Sequence, residues 1–283
     1  MSIELVTKYS SQVDEVFKNE SKTSILTNTD YDWTGAHSIK LWKISTAPMN
    51  DYQRNVFGDT SEDEVASISR FGMLRDLSAQ TEELLLKKDR SFIFNIDALD
   101  EDETEGGLQA ESALARQIRE VVIPEVDTYV YNLMADKAGT KADAAALTTE
   151  NVYDAIIEGS KVLDDAEVPE TERVLVVTPD TYKILKKTVQ FDNTDIGAEL
   201  KLIGVVSVLD GMNVVKVPAN RLPANFGFMI AHPSATTAPI KLEDYGIHNN
   251  TPLSSGTIVT GRICYDAFVL ENKTKGVYYH PIA

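Results

Sequence analysis

Apolar residues change their spacing along this chain, and the changes divide it into regions. In Ser38-Ile39-Lys40-Leu41-Trp42-Lys43-Ile44 they alternate with polar residues, the two-residue period of a strand, and the side chains are β-prone. Ser91-Phe92-Ile93-Phe94-Asn95-Ile96 predicts a second strand. Between them lie Pro48, Gly58, Gly72 and a polar stretch at 59–64, a gap too long for a structureless loop inside a compact domain. The pattern predicts a two-stranded projection, with residues 81–86 extending its return limb. An isolated hairpin is marginal in water, so this projection needs a surface on another chain to rest on.

From 108 to 137 the period becomes helical. Leu114, Ile118, Val122, Val126, Val130 and Leu133 recur at four- or three-residue spacing as one stripe. At ~1.5 Å per residue this helix is about 45 Å long. Pro124 removes a backbone donor inside it and predicts a bend, and Gly139 predicts its stop. Residues 1–36 show no sustained period. Val13, Val16 and Phe17 fit a short amphipathic helix at 12–20, and the rest reads as an extended arm whose Ile25, Leu26, Tyr31 and Trp33 predict packing against something.

After residue 148 shorter elements follow. Val152, Ile156, Gly159 and Leu163 share one helical face, and Val174-Leu175-Val176-Val177 is a short buried strand. Thr178-Pro179-Asp180 reads as N-cap, first helical position and first-turn acid, and Asp210-Gly211 between apolar runs is a two-residue hairpin signal. Another strand is predicted at 226–232. This stretch, about 147–234, reads as a small mixed α/β domain with its own core. The last block predicts a long strand at 257–270 and a return strand at 277–280, whose length suits the region of the long helix better than the middle block.

Charge narrows the roles. A net charge of −17 argues against a conventional nucleic-acid binder, yet a container that encloses a polyanion without gripping it tolerates that sign. Six acids, Asp97, Asp100, Glu101, Asp102, Glu103 and Glu105, precede the long helix, where its positive end favours them; their spacing does not fit a calcium loop. The single Cys264 excludes an intrachain disulfide and reads as a small buried hydrophobe. His37, His232, His248 and His280 are scattered, and Lys183, Lys186 and Lys187 read as a solvated helix face. There is no phosphate loop, dinucleotide fingerprint, nucleophile elbow or paired-histidine metal motif, so no catalytic, cofactor or metal residue is assigned. No apolar run approaches the ~18 residues of a membrane span. Met1-Ser2-Ile3-Glu4-Leu5 lacks a signal peptide's features, so synthesis in a cytoplasm is expected.

Three stretches carry a family likeness: Thr46-Ala47-Pro48-Met49-Asn50-Asp51-Tyr52; then Lys88-Asp89-Arg90-Ser91-Phe92-Ile93-Phe94 running on to Arg116-Gln117-Ile118-Arg119-Glu120-Val121-Val122-Ile123-Pro124-Glu125-Val126-Asp127; and Gly261-Arg262-Ile263-Cys264-Tyr265-Asp266-Ala267-Phe268-Val269-Leu270. In this order they resemble the major capsid proteins of tailed bacteriophages, especially those infecting Gram-positive bacteria. The resemblance implies an α+β fold of the Hong Kong phage type. Its parts would be an N-terminal arm at 1–37, an extended β-hairpin loop at 38–96, a peripheral domain with the spine helix at 97–146 and 238–283, and an axial domain at 147–237. It implies hexamers and pentamers of this chain in an icosahedral virion capsid enclosing double-stranded DNA, with a portal and no membrane or enzyme activity.

Two departures refine that expectation. No lysine lies between Lys43 and Lys87, so the lysine–asparagine cross-link of some relatives is not expected, despite Asn272 in the terminal turn. The arm begins at once, so a separate scaffolding protein is expected. The loop would then hold by packing and charge, with Arg54, Arg70 and Arg75 meeting acidic surface such as Asp100 and Asp102 on a neighbour. Two other readings remain: an encapsulin-type shell around an enzyme cargo, and a soluble α/β enzyme or ligand-binding domain centred on 147–234.

Overall fold

The computed structural model describes residues 21–28, 30–31, 38–44, 46–52, 54, 71, 79–99, 109–188, 205–249 and 255–283. The helix expected at 12–20 and most of the acidic tract lie outside these residues. The chain forms two compact units, Ala36–Leu85 by itself, and Met1–Gly35 together with Leu86–Ala283.

The second of these is organised by a six-stranded sheet in the order Thr140–Lys141, Val277–Pro281, Phe226–Ala231, Val174–Val177, Met212–Lys216, Val205–Leu209. Alternation divides its central strands between two cores. Val174, Val176, Met229 and Ala231 face one side and Leu175, Val177, Phe228 and Ile230 the other. On the second side lie helices Val152–Asp165 and Pro179–Thr188, through Val152, Ile156, Leu163 and Leu185. On the first lies the end of the long helix, through Val130, Tyr131, Met134 and Ala135. The middle block therefore does not close its own core. The long helix is its third layer, and a strand from far along the chain sits inside its sheet.

That strand is Val277–Pro281, which packs on the end of the long helix through Val277 and Tyr279 and pairs with Thr140–Lys141, as its length suggests, but also pairs with Phe226–Ala231 of the middle block. All four of its first residues are buried, so only a two-faced sheet can house it. Local signals fare better. The Thr178 hydroxyl accepts from the Thr181 N–H at 3.1 Å, the N-cap of the helix that begins at Pro179. Asp210 and Gly211 both have positive φ, 49° and 74°, the two-residue turn that their sequence predicts.

The long helix runs from Ala110 to Asp136, with a π-helical segment at Ile118–Val122. Pro124 follows directly. Its missing N–H and its ring would disrupt a regular turn, and the wider turn before it absorbs that misfit. Gly139 does not supply a left-handed stop. It is needed because a Cβ there would sit 2.5 Å from the Thr274 backbone, to which its N–H donates.

The beginning of the helical stripe serves another sheet. Gly256–Tyr265 lies between Ile240–Asn249 and Lys88–Asp97, antiparallel to both. Val122 packs with Ile263 and Tyr265, with Phe92, Val126 and Tyr129 around them. One helix thus joins two sheets, changing partner near Pro124. The strand at 91–96 belongs here and is not the return limb of the projection. Ala79–Leu85 takes that place, pairing with Ser38–Ile44. The expectation that residues 81–86 lie on the return limb therefore holds, although Thr81, Glu82 and Glu83 in succession carry no alternation.

Candidate assembly surfaces

The unit Ala36–Leu85 exposes what a folded chain ordinarily hides. Its register sets Ser38 opposite Leu85, Lys40 opposite Glu83, Trp42 opposite Thr81 and Ile44 opposite Ala79 on one face. On that face Trp42 is 71% exposed and Ile44 63%, and Leu85 is also exposed. On the opposite face Leu84 is buried, and Lys43 pairs with Glu82 at 3.3 Å with both side chains largely covered. Farther out, Asn50 donates to the Phe71 carbonyl at 3.3 Å, and the Tyr52 and Phe71 rings meet edge-on at 5.2 Å. These contacts join the two limbs of the loop, yet Met49 and Phe71 remain exposed. Burying a side chain of this size is worth about 1.5–3 kcal/mol, so the face is a ready-made contact.

In the other unit, the three-stranded sheet is held to the long helix by aromatic and polar packing. Gly261 has no side chain between Phe92 and Tyr245, so these rings stack across the middle strand at 6.1 Å. A Cβ at Gly261 would lie 2.3 Å from the Phe92 ring. The buried Asp266 carboxylate accepts from the Tyr129 hydroxyl at 2.7 Å, the Ala267 N–H at 2.8 Å and the Lys87 N–H at 2.8 Å. It pins residue 87 where the strand Lys88–Asp97 begins. Burial and this carboxylate hold the Tyr129 proton far more tightly than in water. Tyr265, buried and donating to Glu125, is pushed up to about 12. Exposed Ile93 and Val121 leave this part with apolar surface too.

Among the sequence-predicted contact residues, Arg54 is exposed, as an outward contact requires. Arg70, Arg75, Asp100 and Asp102 lie outside the described residues. Cys264 is half-buried and not fully enclosed. His232 and His280 are buried and His248 is exposed. Lys183, Lys186 and Lys187 are exposed, as a solvated face should be. Sequence reasoning did not single out the Trp42–Ile44 face. Its signal was the alternation itself, an aromatic and a branched residue two apart on a strand with no second apolar layer nearby.

Among the described residues no group of three or more His, Cys, Asp or Glu side chains could hold a metal ion, and no helix is long and apolar enough to cross a membrane. Two open grooves, of 440 and 480 Å³, share Tyr129 and Asn132 on the long helix. They converge no set of activated groups.

Comparison with known proteins agrees with an architecture built for contact. A sequence profile of the family described as Phage capsid protein matches residues 81–279. No curated protein matches the sequence. Among solved structures, the chain is similar to one from Mycobacterium phage Che8, with a TM-score of 0.74 at 18% identity, covering 98% of this chain and 96% of that one. It is similar to a chain of the mature capsid of bacteriophage PhiM1, with a TM-score of 0.71 at 13% identity, covering 99% and 92%. A chain from Microbacterium phage Oxtober96 gives 0.71 at 10% identity, covering 99% and 96%. At such identities the likeness speaks for the fold, and the family match extends through both sheets and the long helix. The chain belongs to the phage capsid protein family, with the tailed-phage capsid fold, and is a major capsid protein that forms the phage shell.

Proposed function

We propose that this subunit assembles into hexamers and pentamers of an icosahedral capsid that encloses double-stranded DNA without reading its sequence. The observation that carries this reading is the uncovered apolar face of the Ala36–Leu85 unit, centred on Trp42 and Ile44. Each copy has a face that only another copy needs to cover, and repetition of that contact around an axis closes a ring. The net charge of −17 suits a wall that must not adhere to packaged polyanion. Synthesis in the host cytoplasm, a separate scaffolding protein and a portal complete the reading, and the chain has no enzymatic role in it.

Domain roles follow the same proposal. Residues 1–37 act as the arm and 38–96 as the loop. Residues 97–146 and 238–283 form the peripheral part, and 147–237 the axial part, with Val277–Pro281 fastening the last two together. Arg54, Arg70 and Arg75 pair with acidic surface on a neighbour, Asp100 and Asp102 among it.

Negative-stain electron microscopy of the purified subunit, alone and with a co-expressed scaffolding partner, tests the proposal. Closed shells, or rings of five and six, are expected. A uniform small oligomer under both conditions would point to the ligand-binding reading, and shells filled with protein in place of DNA to the encapsulin one. Arg70→Glu with Arg75→Glu should block particle formation, and normal particles from that variant refute the charge contact.

A further inference from the structure

One buried carboxylate draws its partners from two distant stretches of chain. Asp127, on the long helix, is 1% exposed. Its Oδ2 accepts from the Arg221 guanidinium at 2.7 Å. Its Oδ1 accepts from the Ser21 hydroxyl at 2.7 Å and the Thr23 hydroxyl at 3.3 Å. Between those two residues Lys22 donates through Nζ to the Lys216 carbonyl at 2.9 Å.

The same segment is fixed again a few residues on. Leu26 is fully buried in the core beneath the long helix. The Asn28 N–H donates to the Thr236 carbonyl at 2.9 Å, and its Nδ2 to the Ser234 carbonyl at 3.2 Å. Residues 21–28 therefore have a polar pin at one end and an apolar plug with a single β-bridge at the other. A strand in a sheet is held by a long ladder, whereas this segment is held at two points.

We propose that Asp127 is the pin of a latch, which seats residues 21–28 on the long helix and whose opening frees that segment without loosening the body. The physical basis is the solvation of a buried charge. Arg221 and the two arm hydroxyls stand in for the water that Asp127 lost on burial. When the arm leaves, water reaches the Asp127–Arg221 pair and solvates it, so the body tolerates both states. A seat of apolar side chains alone has no such second state, because undocking exposes it at full cost.

Hydrogen–deuterium exchange of the purified subunit, read by mass spectrometry, tests this. The reporters are the Leu26 amide, bonded to the Thr23 carbonyl, and the Asn28 amide, bonded to the Thr236 carbonyl. In the S21A/T23A variant both should exchange roughly tenfold faster or more, while amides of the long helix after residue 128 and of Val174–Val177 stay within about twofold. Unchanged exchange at Leu26 and Asn28 overturns the latch. Loosening of the whole body in S21A/T23A, which leaves Asp127 and Arg221 in place, overturns it as well, because residues 21–23 would then belong to the core. D127N should reproduce the local effect, and if it does not fold, the double variant alone decides.

Discussion

Two strands with apolar, β-prone side chains have opposite fates. Val174–Val177 is buried at every position, its alternate residues feeding two cores, and helices of its own chain cover both faces. Ser38–Ile44 is equally β-prone, yet Trp42 and Ile44 stand in solvent, and no helix lies within their unit among the described residues. The first strand's partners arrive with the fold, and the second waits for another copy. Apolarity in a strand says that something must cover it, and the surroundings say whether the cover belongs to the same chain.

The comparison fails if the two strands respond alike to truncation. Ile230→Ala, which empties a fully buried site on the six-stranded sheet, should cost about 2–5 kcal/mol and lower the urea midpoint of the isolated subunit. Trp42→Ala with Ile44→Ala should move that midpoint by less than ~0.5 kcal/mol. The same pair should raise the subunit concentration needed for particles, followed by light scattering, at least roughly tenfold, the equivalent of ~1.4 kcal/mol per contact. A midpoint shift as large as that of Ile230→Ala would mean the hairpin face is already covered within the subunit.

A smaller effect sharpens the picture on the other sheet. Gly261→Leu forces a side chain against the Phe92 ring and should cost about 1–3 kcal/mol, read as a lower melting temperature. Acid should act next. Burial lowers His232 and His280 from the ordinary 6.5, so the unfolded chain takes up protons that the folded one resists. Their contribution is complete above that value and is lost as the pH falls below it. His280→Phe keeps a ring against Phe228, which stacks on His280 at 4.9 Å, and should flatten the fall in urea midpoint between about pH 7.5 and about pH 5.5. An equally steep fall in that variant would remove His280 from the account. Least of all, Asp89→Asn breaks the exposed bidentate pair with Arg262, and the midpoint should not move measurably.

Much of the fold was legible where the signal is local. The helical stripe from Leu114 to Leu133, the Thr178 cap and the Asp210-Gly211 turn each follow from a few neighbouring residues. Partnership was not legible. Val277–Pro281 carries nothing that tells the six-stranded sheet from any other, and the strand at 91–96 reads as the outer partner of Ser38–Ile44 although only residues near 81–86 take that place. Periodicity records which faces are apolar and is silent on what meets them. The same limit applied to the contact surface. The alternation of Trp42 and Ile44 was visible, but which face stays bare depends on register with Ala79–Leu85. Asp127 shows it again, because an acid beside Val126 on a helix reads as solvated until Arg221 and the arm are brought to it.

The position of Val277–Pro281 between Thr140–Lys141 and Phe226–Ala231 bears on how the protein is made. During synthesis the neighbours of that strand emerge first, and Phe226–Ala231, paired on one side with Val174–Val177, has an open second edge until residues 277–281 leave the ribosome. A chain broken off earlier keeps a gap in its central sheet and should remain open to proteases along Phe226–Ala231. Stalled nascent chains, digested before and after release of those residues, would reveal the difference; equal resistance at both stages would remove the idea. Synthesis past residue 281 should then act as an inspection step, with only molecules that hold the closing strand entering the growing particle.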